Sequence, residues 1–325
     1  MELQFILQWY LSYRSEASWY GLLVIPLRFE LLCSIMIPIS IKVSLDIAKG
    51  LYAKFIDWDM EMYDDETNTP AHATNTAISE DLGQVEYILT DKTGTLTENK
   101  MKFKRCFISG IHYGNDNSYA LTDEKLLHAV ASESPDVIKF LTIMALCNTV
   151  VPVRNEKENL SYKAQSQDEE ALVRAASQLR MTFVKRDRSV LEIMFNGKDI
   201  LYELLETLEF TSDRKKMSVV VRDCSSGEIL LLCKGADEAI LPFSLDQAKP
   251  IYDAVEHYSR CGLRTLCLAW RKLTHKDYLE WCNEYTEASA SMVNRELTIA
   301  GVCQKLECNL EVLGVTGIED RLQVH

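Results

Sequence analysis

Val85-Glu86-Tyr87-Ile88-Leu89-Thr90-Asp91-Lys92-Thr93-Gly94-Thr95-Leu96-Thr97 is an apolar run followed at once by a short, hydroxyl-rich turn. The run predicts a buried strand, and Gly94 supplies the turn chemistry just beyond it. Asp91 is thereby expected at the carboxyl end of a strand, where open α/β sheets place their ligands. At about one in twenty per position, the first five residues of the Asp91 motif arise by chance on the order of once in ten thousand chains of this length. The bland alternative is a solvated turn whose Asp and Thr side chains cap backbone amides.

Four further segments carry candidate chemistry. Ala164 to Leu172 reads Ala-Gln-Ser-Gln-Asp-Glu-Glu-Ala-Leu, with acids where a helix start favours them. Leu208 to Ser218 reads Leu-Glu-Phe-Thr-Ser-Asp-Arg-Lys-Lys-Met-Ser; Lys234-Gly235-Ala236-Asp237 and Gly262-Leu263-Arg264-Thr265-Leu266 follow. Taken singly, each has an ordinary structural explanation: a helix N-terminus, a core aromatic, a solvated basic turn. Taken together they offer an aromatic face at Phe210 for stacking, positive charge at Lys234 and Arg264, and an acceptor at Glu169.

Upstream, Leu31 to Ile41 is an uncharged stretch flanked by Arg28 and Glu30 on one side and Lys42, Asp46 and Lys49 on the other. It is shorter than the roughly 20 residues that span a bilayer, so hydropathy alone leaves a buried soluble helix open. Pro38 interrupts the hydrogen-bond ladder, which membranes tolerate where unwound backbone lines a transport path. Lys42 and Asp46 point to function if the segment is in lipid.

The 325 residues, 47% of them hydrophobic, allow two or more domains with cores of their own. A net charge of −13 with no basic stripe excludes a nucleic-acid partner. Ten cysteines without a Cys-x-x-Cys pair indicate neither a zinc site nor a disulfide framework. Met1 to Tyr13 lacks the basic start and cleavage site of a signal peptide. From about 104 to 308 helical stretches, such as Asp136 to Cys147 and Gln167 to Leu179, mix with alternating strands, such as Lys216 to Arg222 and Glu228 to Cys233. Leu310 to Val315 then reads as a second buried strand, expected beside Val85 to Thr90.

The Asp91 motif and the ordered set behind it resemble the type IV P-type ATPases, the phospholipid flippases. Pro38-Ile39-Ser40-Ile41 resembles the Pro-Ile-Ser-Leu signature of their fourth membrane helix, and Thr316 to Gln323 resembles their returning phosphorylation-domain strand, with Gly317 where Ala is common. The resemblance implies a multi-domain membrane protein fragment. Its parts are a partial α/β HAD-like phosphorylation domain and an inserted α+β nucleotide-binding domain, preceded by a broken transmembrane helix. The implied divisions are a span end and exoplasmic loop over 1–20, the broken helix over 21–53 and stalk plus first phosphorylation-domain part over 54–103. The nucleotide domain then covers 104–308 and the return strand 309–325.

It further implies that Asp91 is the nucleophile that takes the γ-phosphate of ATP, with Mg²⁺ held at Asp91 and by the backbone carbonyl of Thr93. ATP contacts fall on Asp91, Lys92, Thr93, Glu169, Phe210, Ser212, Lys215, Lys234 and Arg264, and the lipid path on Pro38, Ile39, Ser40 and Ile41. The implied partners are a phospholipid, such as the aminophospholipid phosphatidylserine, and a small two-span accessory β subunit. The implied location is an endomembrane or plasma membrane with catalytic domains in the cytosol. Two motifs that the resembled family uses to complete the site, Gly-Asp-Gly-x-Asn-Asp and the actuator Asp-Gly-Glu-Thr, do not occur in the chain, which therefore reads as the middle of such a protein. A cation-transporting P-type ATPase and a non-catalytic ATP-binding module are the alternatives; Ile39 and Ser40 in place of a carboxylate after Pro38 disfavour the first.

Overall fold

The computed structural model describes residues 19–36, 39–65, 67–76, 81–115, 119–154, 160–245, 249–290 and 294–323, and divides into two compact units that meet between Leu89 and Thr90. In the first unit, helix α1 (Trp19–Met36) contains Pro26, and helix α2 (Ile39–Asp57) buries none of its residues. Neither helix alone is long and apolar enough to cross a membrane; Val24–Ser34 and Ile39–Asp57 together meet that test by length and composition, with a bend of 43° between them. Pro38 and residues 1–18 lie outside the described residues.

The second unit is built on one nine-stranded antiparallel sheet. Its strands are β1 (Thr97–Ile108), β2 (Ile111–Tyr113), β5 (Met181–Arg186), β6 (Val190–Phe195), β7 (Lys198–Leu208), β8 (Lys216–Asp223), β9 (Ile229–Gly235), β10 (Arg264–Leu273) and β11 (Glu311–Leu322), in the order β2-β1-β11-β10-β9-β8-β7-β6-β5. Strands β3 (Val151–Arg154) and β4 (Leu160–Lys163) form a separate hairpin. The unbroken apolar runs of β8 and β9 suit strands covered on both sides.

Alternation sorts those side chains into two cores. Met217, Val219 and Val221 pack with α3 (Glu124–Ala131), α4 (Pro135–Leu146) and α5 (Gln167–Gln178). Val220, Leu231 and Cys233 pack with α6 (Asp237–Ile240), α7 (Lys249–Arg260), α8 (His275–Ala290) and α9 (Arg295–Leu306) on the opposite face. Trp281 of α8 donates its indole N–H to the Val302 carbonyl of α9 at 3.0 Å, which satisfies the polar edge of a buried ring.

Two features differ from the sequence reading. Val85 to Thr90 is not a strand: Tyr87, Ile88 and Leu89 are 84, 83 and 97% exposed, and no strand among the described residues pairs with it. An isolated apolar run has no ladder to join, so its β-propensity goes unused. The return segment does form a strand, β11, but it runs to Leu322 and lies between β1 and β10 in the sheet of the second unit. Thr97 to Phe103 of β1 and Glu311 to Leu322 of β11 thus hydrogen-bond into the same sheet as strands within residues 104–308.

Candidate active site

Asp91 opens the turn that leads into β1. The Leu96 amide donates to the Lys92 carbonyl at 3.0 Å, and the Gly94 amide donates to the Thr97 hydroxyl at 3.1 Å. Gly94 takes φ +79°, the left-handed conformation a glycine enters without steric cost, as the turn reading required. Thr97 is 1% exposed, so the last threonine of the motif serves the fold, whereas Asp91, Lys92 and Thr93 are exposed. The Gln323 amide donates to the Leu96 carbonyl at 3.0 Å, which ties the turn to the end of β11.

The remaining candidates gather at one end of the sheet. Lys216, which opens β8, faces Gly235, which ends β9; Gly235 faces Cys267 of β10, and Arg264 opens β10 opposite Ile318 of β11. A side chain on Gly235 would sit 2.5 Å from Lys216 Cβ and 2.7 Å from the Lys215 carbonyl, so the motif glycine is what lets the two strands close here. Phe210 lies just past the end of β7 and is 60% exposed. The ring therefore sits in the loop that leads to β8 and is not part of either core. Ser212 and Lys215 share that loop; Lys215 pairs with Glu238 at 2.6 Å in an exposed position.

Lys234 and Glu169 form the buried centre. Lys234 Nζ donates to Glu169 Oε1 at 2.8 Å, while Glu169 Oε2 accepts from the Thr149 amide at 3.0 Å and the Thr149 hydroxyl at 2.7 Å. Burial pushes the Glu169 carboxyl up, but the Lys234 ammonium and the donors from Lys234 and Thr149 outweigh it and hold the group below its ordinary value. Glu169 thus has both oxygens engaged within the protein. Arg264 is half-exposed and lies between two carboxylates, Asp168 at 3.2 Å and Asp320 at 3.7 Å. Asp320 is buried, and neither of its oxygens accepts a hydrogen bond among the described residues. Among the described residues, no hydrogen bond or ion pair joins Asp91, Lys92 or Thr93 to Glu169, Phe210, Lys234 or Arg264, so the candidates fall into two groups.

Thr149 and Asp320 were not singled out by sequence reasoning. Thr149 is 20 residues from Glu169 and sits in no pattern; Asp320 lies inside the Thr316 to Gln323 segment, where the burial of a strand could have flagged it.

Residues 136–325 match the family model for the P-type ATPase, cytoplasmic domain N. The chain belongs to the P-type ATPase family. Over 97% of its length it is 67% identical to phospholipid-transporting ATPase 2 of Arabidopsis thaliana, and over 97% it is 39% identical to phospholipid-transporting ATPase tat-1 of Caenorhabditis elegans. Over 96% of its length it is 35% identical to phospholipid-transporting ATPase IC of Mus musculus. The chain spans 29, 28 and 26% of those three relatives. This P-type ATPase chain therefore contains the mixed α/β domain N, and its relatives lie in the phospholipid-transporting branch.

Proposed function

We propose that this P-type ATPase chain is the ATP-binding and phosphoryl-accepting portion of an ATP-driven phospholipid translocase, moving lipid from the exoplasmic to the cytoplasmic leaflet. The observation that carries the reading is the convergence of four sequence-distant segments around the buried Lys234–Glu169 pair at one end of the sheet. Phe210 offers its exposed ring to adenine, and Lys234 and Arg264 offer positive charge to the nucleotide. Ser212 and Lys215 line the turn beside Phe210. Binding to Arg264 competes with Asp168 and Asp320, so an incoming phosphate exchanges one set of anionic partners for another.

In the complete protein a carboxylate oxygen of Asp91 attacks the γ-phosphorus, the bond from phosphorus to the β,γ-bridging oxygen breaks, and ADP leaves with that electron pair. Lys92 and Thr93 flank the point of attack. The hard oxygen donors of Asp91 and Thr93 suit Mg²⁺. Among the described residues no group of three or more His, Cys, Asp or Glu is placed to hold an ion. When bound, Mg²⁺ supplies neutralisation of the charge between carboxylate and phosphate. Pro38, Ile39, Ser40 and Ile41 are the proposed lipid path; Ile39 and Ile41 at the start of α2 are 71 and 63% exposed, which suits an apolar lining. The proposed setting is an endomembrane or plasma membrane with the sheet unit in the cytosol, a phospholipid substrate of the aminophospholipid class, and a two-span accessory β subunit.

Calorimetric titration with MgATP tests the nucleotide site: Phe210→Ala should cost about 1 to 3 kcal/mol of binding, the range for stacking on an aromatic platform. Equal affinity in the variant would remove Phe210 from the site. In the full-length protein, Asp91→Asn should abolish the acid-stable phosphoenzyme formed from labelled ATP.

A further inference from the structure

Glu307 follows α9 and is fully buried, with its amide donating to the Cys303 carbonyl at 3.0 Å. Nothing in the local sequence explains a buried carboxylate at a helix end, where the macrodipole disfavours it. Three side chains from one short stretch explain it. Arg214 Nη2 and Ser218 Oγ both donate to Glu307 Oε1, and Lys216 Nζ lies 3.2 Å from Glu307 Oε2. Lys216 also stands 4.4 Å over the ring of Phe243. The second nitrogen of the Arg214 fork, Nη1, donates to the Glu209 carbonyl at 2.9 Å, immediately before Phe210.

The guanidinium therefore spans from a fixed carboxylate across the sheet to the backbone of the residue preceding Phe210. The same turn is pinned at its other end: the Lys215 amide donates to the Thr211 carbonyl at 2.8 Å, and the Lys215 carbonyl accepts from the Ala236 amide at 3.0 Å. Lys215 adopts φ +50°, a left-handed conformation that a lysine holds only where its surroundings impose it. Phe210 is itself exposed and makes no core contact, so its position is set by this frame.

We propose that Glu307 is a positioning residue for nucleotide recognition: through Arg214 it holds the 209–215 turn so that Phe210 presents its ring to adenine. The inference rests on the adenine role of Phe210 given above. A planar fork is what the geometry uses, since two separate nitrogens, Nη2 and Nη1, reach the carboxylate and the carbonyl, and lysine carries its donors on a single nitrogen.

The test is titration calorimetry on the 325-residue chain in detergent, with MgATP and with magnesium tripolyphosphate as probes. Phe210→Ala should weaken MgATP about five- to hundredfold. Glu307→Gln and Arg214→Lys should each weaken it at least about threefold, the scale of coupling between residues in contact. Tripolyphosphate affinity should stay unchanged in all three, because the turn serves the base. The Glu307→Gln/Phe210→Ala double variant should bind MgATP no more weakly than Phe210→Ala alone. If Glu307→Gln fails to fold, Arg214→Lys and its double variant with Phe210→Ala decide the matter, since they leave Glu307 paired with Lys216. Wild-type MgATP affinity in Arg214→Lys, additive losses in the double variant, or parallel loss of tripolyphosphate binding would each overturn the proposal. If Phe210→Ala itself binds like wild type, the adenine reading fails first and the inference goes with it, an outcome visible in that variant alone.

Discussion

A fragment cut at 104 and 308, the limits that an inserted domain suggests, should fail to fold, whereas Thr90–His325 should fold on its own. The cut at 308 removes all of β11, which lies between β1 and β10, and the cut at 104 removes the first half of β1. With β11 go Leu310, Leu313, Val315 and Ile318, each at most 4% exposed. At about 1.5 to 3 kcal/mol for burying each such side chain, their loss amounts to about 6 to 12 kcal/mol. A whole domain is stable by about 5 to 15 kcal/mol, so the shorter fragment has little or nothing left. The loss is compounded because β10 becomes an open edge and β1 with β2 loses its only link to the rest of the sheet among the described strands. Urea unfolding followed by far-UV circular dichroism, with amide dispersion in NMR spectra as the second probe, reads the difference. A cooperative transition of the 104–308 fragment at the same urea midpoint as Thr90–His325 would refute the reasoning.

Other expectations concern the site. Gly235→Ala should destabilise the sheet unit by about 1 to 3 kcal/mol, as overpacking does, because the new Cβ meets Lys216 Cβ and the Lys215 carbonyl; thermal unfolding and MgATP titration should both register it. The Glu169 pKa is lowered on folding, so its contribution to stability is present above the ordinary glutamate value of about 4.3 and is lost as pH falls through the depressed folded value. Glu169→Gln should therefore flatten the acid limb of the stability profile below about pH 4, measured by urea midpoints at a series of pH values. Lys234→Met leaves Glu169 charged and buried with only Thr149 as donor, and should cost about 3 to 5 kcal/mol. Lys234→Met/Glu169→Gln should cost less than the two single changes together, and full additivity in unfolding free energies would show the pair to be uncoupled.

Much of the local structure was legible because periodicity is a local property. The stretch Asp136 to Cys147 became Pro135–Leu146, Gln167 to Leu179 became Gln167–Gln178, and the two alternating runs became β8 and β9. The turn at Gly94 was legible for the same reason: a left-handed residue between Lys92 and Thr97 favours glycine, which enters that conformation without steric cost. The apolar run Val85 to Thr90 misled because composition reports that a segment can form a strand and carries no information on whether a partner strand lies beside it.

The sequence by itself determined the family, through the Asp91 motif and the ordered segments behind it, and it determined which residue types could handle a phosphate and a base. The tertiary structure alone decided that Glu169 is shared between Lys234 and Thr149, that Arg264 stands between Asp168 and Asp320, and that Glu307 reaches Arg214 from 93 residues away. It also decided that β11 closes the sheet containing the candidate nucleotide site. The reason is physical. A helix or a turn is specified by neighbours three or four residues apart, whereas strand order, and the partners that make a buried charge tolerable, depend on which distant segments the packed sheet brings together.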